Sequence, residues 1–529
     1  MKNLSLIIFA LLSTSTLAAS AGASGAASEA AEDSVENSRA GARSDRDIIA
    51  RWIAETHLAM KSDAQAFANP ALMPLRRDYS LAQIAAGWRS RRESESFVVE
   101  AGDGSRDGFF EAEAYFHNGA STLWGDAAYS NGRNLNQRWN ESGDFDRLYP
   151  YLTADSVGGD LNRERYSFAG GYARTGRHIV WGIEGSYTAV LAYRKVDPRP
   201  RDITGDLRLK GGVGYRFPFG YTAAVGVGFD KFRQTSSISF MSELGVSKIY
   251  HLTGLGSHYY RFAGTGYSTY NDCYEYSLSA NIIPQSATGG FLNAEFSLTT
   301  QRHVIDDLNR LPMASLTHRE MNLSGGWNFR FGAHSLSAEA AFDVWRRHGR
   351  ENIFGDSQSG TFPQIGSLDM FADNYHSESL RIVYEAEVGS TTIGIAPYGN
   401  LTHRRTVYIT PRRDRLMDMA NAGLRAQATR RFSTRLAGSL SADYSRRFHR
   451  NSLLTLPAST DPQTADLDRA VTVDYENATC GADAIQGGIN LAYAISSRYA
   501  LALSGNIGYV RLAAGPHSLA WSASLAFDF

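Results

Sequence analysis

His517-Ser-Leu-Ala-Trp-Ser-Ala-Ser-Leu-Ala-Phe-Asp-Phe529 alternates at every position. Leu519, Trp521, Ala523, Leu525, Phe527 and Phe529 share one face, and Ser518, Ala520, Ser522, Ser524, Ala526 and Asp528 share the other. Successive side chains of an extended chain point to opposite sides, so a period of two marks a strand whose faces meet different solvents. One face suits lipid and the other suits water. An edge strand of a soluble sandwich would alternate in the same way, so the remainder of the chain has to decide between them.

The alternation recurs from Tyr79 onward. Ile179, Trp181, Ile183, Gly185, Tyr187, Ala189, Leu191 and Tyr193 oppose Val180, Gly182, Glu184, Ser186, Thr188, Val190, Ala192 and Arg194, a run longer than the ~9–11 residues that cross a bilayer as a tilted strand. Short connections fall near 117–121, 175–178, 217–220, 285–290, 331–334, 389–391, 430–433 and 496–499. These eight hairpins supply sixteen strands. A first strand near 79–98 and the closing one at 517–529 bring the expected total to about 18, with 14 or 16 also compatible because boundaries read from one sequence are imprecise. Long connections at about 131–162, 233–272, 301–317, 346–378 and 446–482 alternate with the short ones. Short turns on one side and long loops on the other is the pattern of outer-membrane barrels, with the long loops extracellular. The expected fold is therefore all-β, a transmembrane antiparallel barrel preceded by a short N-terminal helix.

Three segments are expected: a signal peptide at 1–21, a leader with a helix and a hatch-like stretch at 22–78, and the barrel at 79–529. Lys2, the apolar run Leu4 to Leu12 and the small residues Ala18 to Ala21 fit a secretory signal. Asp45 to Lys61 has a helical pattern with Ile48, Ile49, Trp52 and Ile53 near one face and Asp45 in N-cap position. That helix would plug the lumen or lie at the periplasmic rim. The aromatic terminus, with Trp521, Leu525, Phe527 and Phe529, resembles the signal by which the barrel-assembly machinery recognises outer-membrane barrels. Asn69-Pro-Ala71, just ahead of the first strand, resembles the N-terminal hatch of the fatty-acid-transporter barrel superfamily, which includes a secretion-linked branch. Tyr149-Pro-Tyr-Leu-Thr-Ala-Asp-Ser-Val-Gly-Gly-Asp160, Tyr166-Ser-Phe-Ala-Gly-Gly-Tyr172 and Tyr193-Arg-Lys-Val-Asp-Pro-Arg-Pro-Arg201 are similar to an uncharacterised family of large outer-membrane barrels from Bacteroidetes. This last resemblance implies fold and a bacterial outer-membrane location, and carries no activity with it.

Composition agrees. Across 529 residues, 12% are aromatic, 50 are Gly and only 14 are Pro. The mean hydropathy of −0.30 is too polar for a helical membrane protein. A net charge of −1 supplies no field for nucleic acid. Cys273 and Cys480, 207 positions apart, admit one disulfide in an oxidising compartment.

Several charged residues share parity with Ser, Gly, Asn or Thr and are expected to face the lumen: Glu111, Glu113, Glu184, Arg208, Lys210, Glu275, Glu295, Glu339, Glu385, Glu387 and Asp443, together with Asp206 and Arg425. Such groups line an aqueous path or bridge strands as ion pairs. Arg194-Lys195, Arg233, Arg302, Arg346-Arg347, Arg404-Arg405, Arg446-Arg447 and Arg511 form an expected basic collar where strands leave the membrane, able to meet lipopolysaccharide phosphates or simply to snorkel. Ser130-Asn-Gly-Arg133 with Arg147-Leu-Tyr149 resembles the active-site stretch of outer-membrane phospholipase A, but Ala128 stands where the activating His belongs. A serine without its base is a weak nucleophile, so this stretch reads as a polar turn at the top of a strand. The histidines His251, His258, His303, His348, His403 and His449 show no metal-ligand spacing. Gly211-Gly212-Val-Gly214 lies within a strand, where glycine suits curvature rather than phosphate binding.

These features predict no catalytic residue, cofactor or metal. The expected function is a conduit for small or hydrophobic solutes. A second reading is an interaction or secretion-accessory barrel whose loops dock a surface lipoprotein or exported cargo, and a lipid hydrolase is the third. An apolar pocket near Trp52, Phe67 and Met73 would favour a hydrophobic solute.

Overall fold

The computed structural model describes residues 47–58, 64–242, 247–264, 266–357, 360–458 and 462–529. The expected signal peptide, and the leader up to residue 46, lie outside the described residues. Eighteen strands form one antiparallel sheet in which each strand pairs with its neighbours along the chain. The first strand, Leu81–Glu93, pairs with the last, His517–Asp528, so the sheet closes on itself. The register runs from Gln83 opposite Asp528 to Glu93 opposite Ser518. Phe529 extends it, exchanging two backbone hydrogen bonds of 2.8 Å with Ala82. Backbone groups that face hydrocarbon have no water to bond, and closure satisfies them all without an edge.

Side chains sort as the pleat requires. Ile84, Trp88, Phe110, Ile183, Leu209, Val227, Leu278, Phe296, Leu380, Leu440, Leu503 and Leu525 are exposed on the outer wall, an apolar belt of the kind that lipid covers. Aromatic residues gather beside the short turns. Tyr215, Phe217, Phe219 and Tyr221 form a chain of ring contacts at 4.9, 4.9 and 6.1 Å, and Phe527 stacks on Tyr499 at 5.7 Å. This is the girdle expected at a membrane interface. A large closed barrel with an even strand count and an apolar outer belt is a bacterial outer-membrane protein, with its short turns periplasmic.

All eight expected short hairpins are present, and glycine at positive φ makes several of them, as at Gly220 (86°) and Gly389 (62°). The long connections at 138–158, 240–268 and 456–481 also stand. Two others are corrected. The ladder continues to Ile305 and Phe354 and resumes at Leu311 and Gln364, leaving connections of only 306–310 and 355–363. Strands that rise above the membrane have water on their outer face, so the apolar alternation stops while the hydrogen bonding does not. Gln364–Val388 thus reaches 25 residues, whereas the strands at the closing seam have 12 or 13, giving the barrel a rim of uneven height.

The N-terminal helix, α1, is shorter than expected and covers Ile48–Thr56. Its cap is Asp47 rather than Asp45, because the Asp47 carboxylate accepts the Ala50 N–H at 2.8 Å. The Ser130 stretch is also corrected. It lies within the strand Ser121–Gln137, with Ser130 opposite Phe109 and Arg165, and is no turn.

Facing can be tested on Ile179–Arg194. Ile183→Arg places a charge against lipid and is expected to cost ~2–4 kcal/mol near the midplane, while Ser186→Arg on the wet face is tolerated. Folded yield in bilayers, read from heat-modifiable migration, checks this, and equal tolerance of the two changes would reverse the assigned faces.

Candidate functional site

The candidate site is the lumen, which is occupied at its periplasmic end by a plug formed by residues 47–58 and 64–78 and covered at the other end by infolded loops. The apolar face of α1, Ile48, Ile49 and Trp52, packs on the inward alanines Ala437, Ala492, Ala494, Ala500, Ala502 and Ala526. Methyl groups leave room for a helix that larger residues would exclude. Arg431 donates to Asp47 at 2.6 Å, and the Leu58 N–H donates to Glu385 at 2.7 Å. A 3₁₀ segment, Pro70–Leu75, follows and sits directly on the wall. A Cβ on Gly182 would lie 2.3 Å from the Pro70 oxygen, and one on Gly212 would lie 2.0 Å from the Asn69 side chain. Gly212 therefore gives the plug its seat, which its position within a strand does not explain. Asn69 starts a buried amide ladder, donating to Asn281 at 3.0 Å, which donates to Asn293 at 3.0 Å. Arg77 closes the plug by donating to Glu55 at 2.6 Å and Glu113 at 3.4 Å, and the Tyr115 hydroxyl donates to the Met73 carbonyl at 2.7 Å.

At the extracellular end the loop 138–158 folds into the barrel. Arg147, in the helical turn Phe145–Leu148, donates to Asp206 at 3.1 Å and Asp230 at 2.8 Å, with its guanidinium 4.1 Å from the centre of the Phe232 ring. A three-stranded sheet of Leu152–Asp155, Ile249–Gly254 and Ser257–His258 joins this loop to 240–268. Helix α2, Pro462–Thr479, lies beside it, with Leu467 and Ala470 packed among Trp139, Leu152 and Tyr250. Arginines of the wall staple this cap. Arg194 binds Asp155 at 2.6 Å with both groups buried, Arg347 donates to the Asp146 carbonyl at 3.0 Å, and Arg447 donates to the Asn477 carbonyl at 2.6 Å. The expected basic collar is thus split by the pleat. Arg194, Arg347, Arg404 and Arg447 turn inward, and Arg302, Arg346 and Arg405 stay exposed outside.

Between plug and cap the inner wall carries both signs of charge. Glu184 accepts the Trp124 indole N–H at 2.8 Å, and Glu275 accepts the Thr299 hydroxyl at 3.0 Å. Arg381 donates to Glu339 at 2.6 Å, and the Tyr398 hydroxyl donates to Asp443 at 2.8 Å. Arg208 bonds both Asp206 and Asp230. Lys210 and Glu295 flank a small cavity beside Asn69, Glu387 lies 3.5 Å from Arg330, and Glu111 is exposed. A hollow of about 740 Å³ remains between the plug and the wall, lined by Ile53, Phe67 and Leu75 but also by His57, Glu385, Glu387 and Arg330. Trp52, Phe67 and Met73 occupy three different surroundings and form no shared apolar pocket. Both cysteines are free thiols, Cys273 buried beside Leu148 and Phe232. Among the described residues no three His, Cys, Asp or Glu side chains converge as a metal-ligating group.

Sequence reasoning missed Glu55, Arg77, Arg147 and the Asn69–Asn281–Asn293 ladder as parts of this site. The Asn-Pro-Ala stretch was the available signal for the plug. Arg147 sits in the stretch that resembles the phospholipase A active site, but spacing alone does not show that a loop turns inward.

The cap contains a buried acid pair. Burial pushes the Glu100 carboxyl well above the usual range, with the nearby Asp474 adding to the shift, and burial raises Asp474 of α2 as well. Asp474 also accepts the Val99 N–H at 2.8 Å. Groups whose folded pKa is raised stabilise the docked helix fully below their unfolded value of ~4, and that contribution is lost as pH rises through the folded values. Hydrogen exchange in 462–479, corrected for intrinsic rates, is expected to quicken from acidic to alkaline buffer in the wild type and to change less in Glu100→Gln. An unchanged slope in the variant would remove this pair as the cause.

Solved structures similar to this chain include several receptors. A mutant ferric enterobactin receptor from Pseudomonas aeruginosa is 9% identical with a TM-score of 0.37, over 85% of this chain and 80% of that one. The siderophore receptor PirA from Acinetobacter baumannii is 8% identical with a TM-score of 0.35, over 85% and 80%. The alcaligin outer-membrane receptor FauA from Bordetella pertussis is 11% identical with a TM-score of 0.36, over 84% and 75%. No curated protein matches in sequence. A family model described as a family of unknown function, DUF6850, matches residues 70–529, and the chain belongs to that family.

Proposed function

We propose that the protein is a gated conduit for a small polar solute, opened by movement of the 47–78 plug. The observation that carries this reading is the character of the plug's seat. Besides the apolar face of α1 on its alanines, the plug's anchors to the wall are polar: Arg431 to Asp47, the Leu58 N–H to Glu385, Asn69 to Asn281, and Arg77 to Glu113. Water or solute can replace such bonds, worth ~0.5–1.5 kcal/mol net for the amide pair and ~1.5–3 kcal/mol where a charged group takes part. Charges of both signs along the wall favour a polar passenger, and the mixed lining of the 740 Å³ hollow argues against a hydrophobic one. Catalysis is not part of this reading, since Ser130 is flanked in register by Phe109 and Arg165 and has no histidine there.

The tall rim favours the second reading, a docking barrel for a surface lipoprotein or exported cargo. Ile353, Ile365 and Leu368 are exposed near its top, where apolar residues mark contact surfaces.

Gly182→Val tests the first reading. Its side chain would collide with the Pro70 carbonyl and unseat the plug, while Gly211→Ala on the neighbouring strand meets nothing within 4 Å. Planar-bilayer conductance is expected to be low in the wild type and in Gly211→Ala, and several-fold higher in Gly182→Val. A folded Gly182→Val barrel that conducts no better than the wild type would move the docking reading to first place.

A further inference from the structure

We propose that Arg319 and Arg346 form an outer-surface site for the phosphate groups of an acylated, phosphorylated glycolipid of the lipid A type. The two residues are directly opposite on adjacent strands, and both are exposed on the outer wall. Like charges placed directly across a ladder repel each other. Their other register neighbours, Leu298 and Asn374, offer no compensating charge. Among the described residues, neither guanidinium has a carboxylate within ion-pair distance. Two other outer arginines differ, since Arg405 binds Asp414 at 2.9 Å and Arg233 approaches Asp272 at 3.5 Å.

Height points to the same ligand. Arg319 lies 12 positions before Phe331 and Arg346 lies 12 after His334, the two ends of one periplasmic hairpin (331 − 319 = 12; 346 − 334 = 12). Twelve residues span ~40 Å along a strand and ~30 Å along the membrane normal at a tilt of ~40°, just above an apolar band ~25 Å tall. Nearer the periplasm on the outer face, Met321, Phe342, Leu380 and Leu401 are exposed, with the exposed Glu378 in register between Phe342 and Leu401. The surface therefore presents two adjacent guanidiniums above a mainly apolar belt, which matches a molecule with phosphate at its head and acyl chains beneath. A guanidinium fork binds phosphate bidentately, and two of them offset the charge of a phosphorylated headgroup. Arg302 and Arg350 lie further up the same face, each opposite Ser315, and extend the basic surface. This assignment is independent of whether the lumen conducts.

The test uses the full-length protein, delipidated in detergent. Probes are diphosphorylated lipid A, the same lipid with its phosphates removed, phosphatidylglycerol micelles and inorganic phosphate, with bound lipid counted by native mass spectrometry. The wild type is expected to prefer diphosphorylated over dephosphorylated lipid A by about tenfold or more, and Arg319→Ser with Arg346→Ser to lose most of that preference. Arg498→Ser, a charge change in the periplasmic turn 496–499, should leave it intact. Equal binding of the two lipid A forms by the wild type would overturn the proposal without recourse to any variant. Retention of the preference in the folded double variant would also overturn it. Saturation by inorganic phosphate alone would assign the site to a free anion, and equal binding of phosphatidylglycerol would reduce it to general attraction for anionic lipid, both against the proposal.

Discussion

The ladder between Leu81–Glu93 and His517–Asp528 is the constraint on which the rest depends. Every other strand of the barrel pairs with the barrel strand before or after it in the chain, and among the described ladders only this pairing joins residues more than 400 positions apart. Without it, the first and last strands would each expose a row of backbone donors and acceptors to hydrocarbon, at several kcal/mol per orphaned group. Closure also defines an inside, and the inside is what allows Ile48, Ile49, Trp52 and Asn69 to Pro74 to be buried while the strands around them face lipid.

The interior is adapted to what it holds. Where α1 docks, the inward positions are alanine, and where Pro70–Leu75 docks they include Gly182 and Gly212. Where nothing docks, they are charged or amide-bearing. A single alternation thus serves three purposes along the inner face: contact with a helix, contact with bare backbone, and contact with water. The cap follows a different rule. Its apolar residues cluster around Trp139, Tyr250 and Leu467, and arginines from the wall bind its carbonyls and carboxylates at the margins. Removing one partner of the buried Arg194–Asp155 pair would leave an uncompensated charge, which typically costs ~3–5 kcal/mol.

The barrel was legible because lipid imposes a strict period of two and forbids irregular backbone, so eight turns and a strand count near eighteen could be read from hydropathy alone. Legibility ended where lipid ends. At Arg302 to Leu311 and Arg346 to Gln364 the outer face turns polar, and a continuing strand looks the same as a loop. The doublets Arg346-Arg347, Arg404-Arg405 and Arg446-Arg447 looked like one basic collar, yet adjacent residues on a strand must part, one to the outer surface and one to the cap. The inward path of 138–158 was hidden for a different reason. Arg147 meets Asp206, Asp230 and Phe232 through contacts between distant parts of the chain, and no local pattern encodes them. The plug was half visible, since Asn69 and Ile48 to Trp52 announced a structured segment without showing what would receive it.

The plug runs straight into the wall, with Ser80 leading to Leu81 and no linker between them. A plug joined in this way cannot diffuse away once unseated. It remains near its seat at an effective concentration on the order of millimolar, as any short tether imposes. On the proposed gating, reseating would be a unimolecular step whose rate does not fall on dilution, and a passing solute would compete against a resident that is always present. Openings would then be brief and self-terminating, with a duration set by how quickly the Asn69 and Arg77 contacts re-form rather than by the supply of solute.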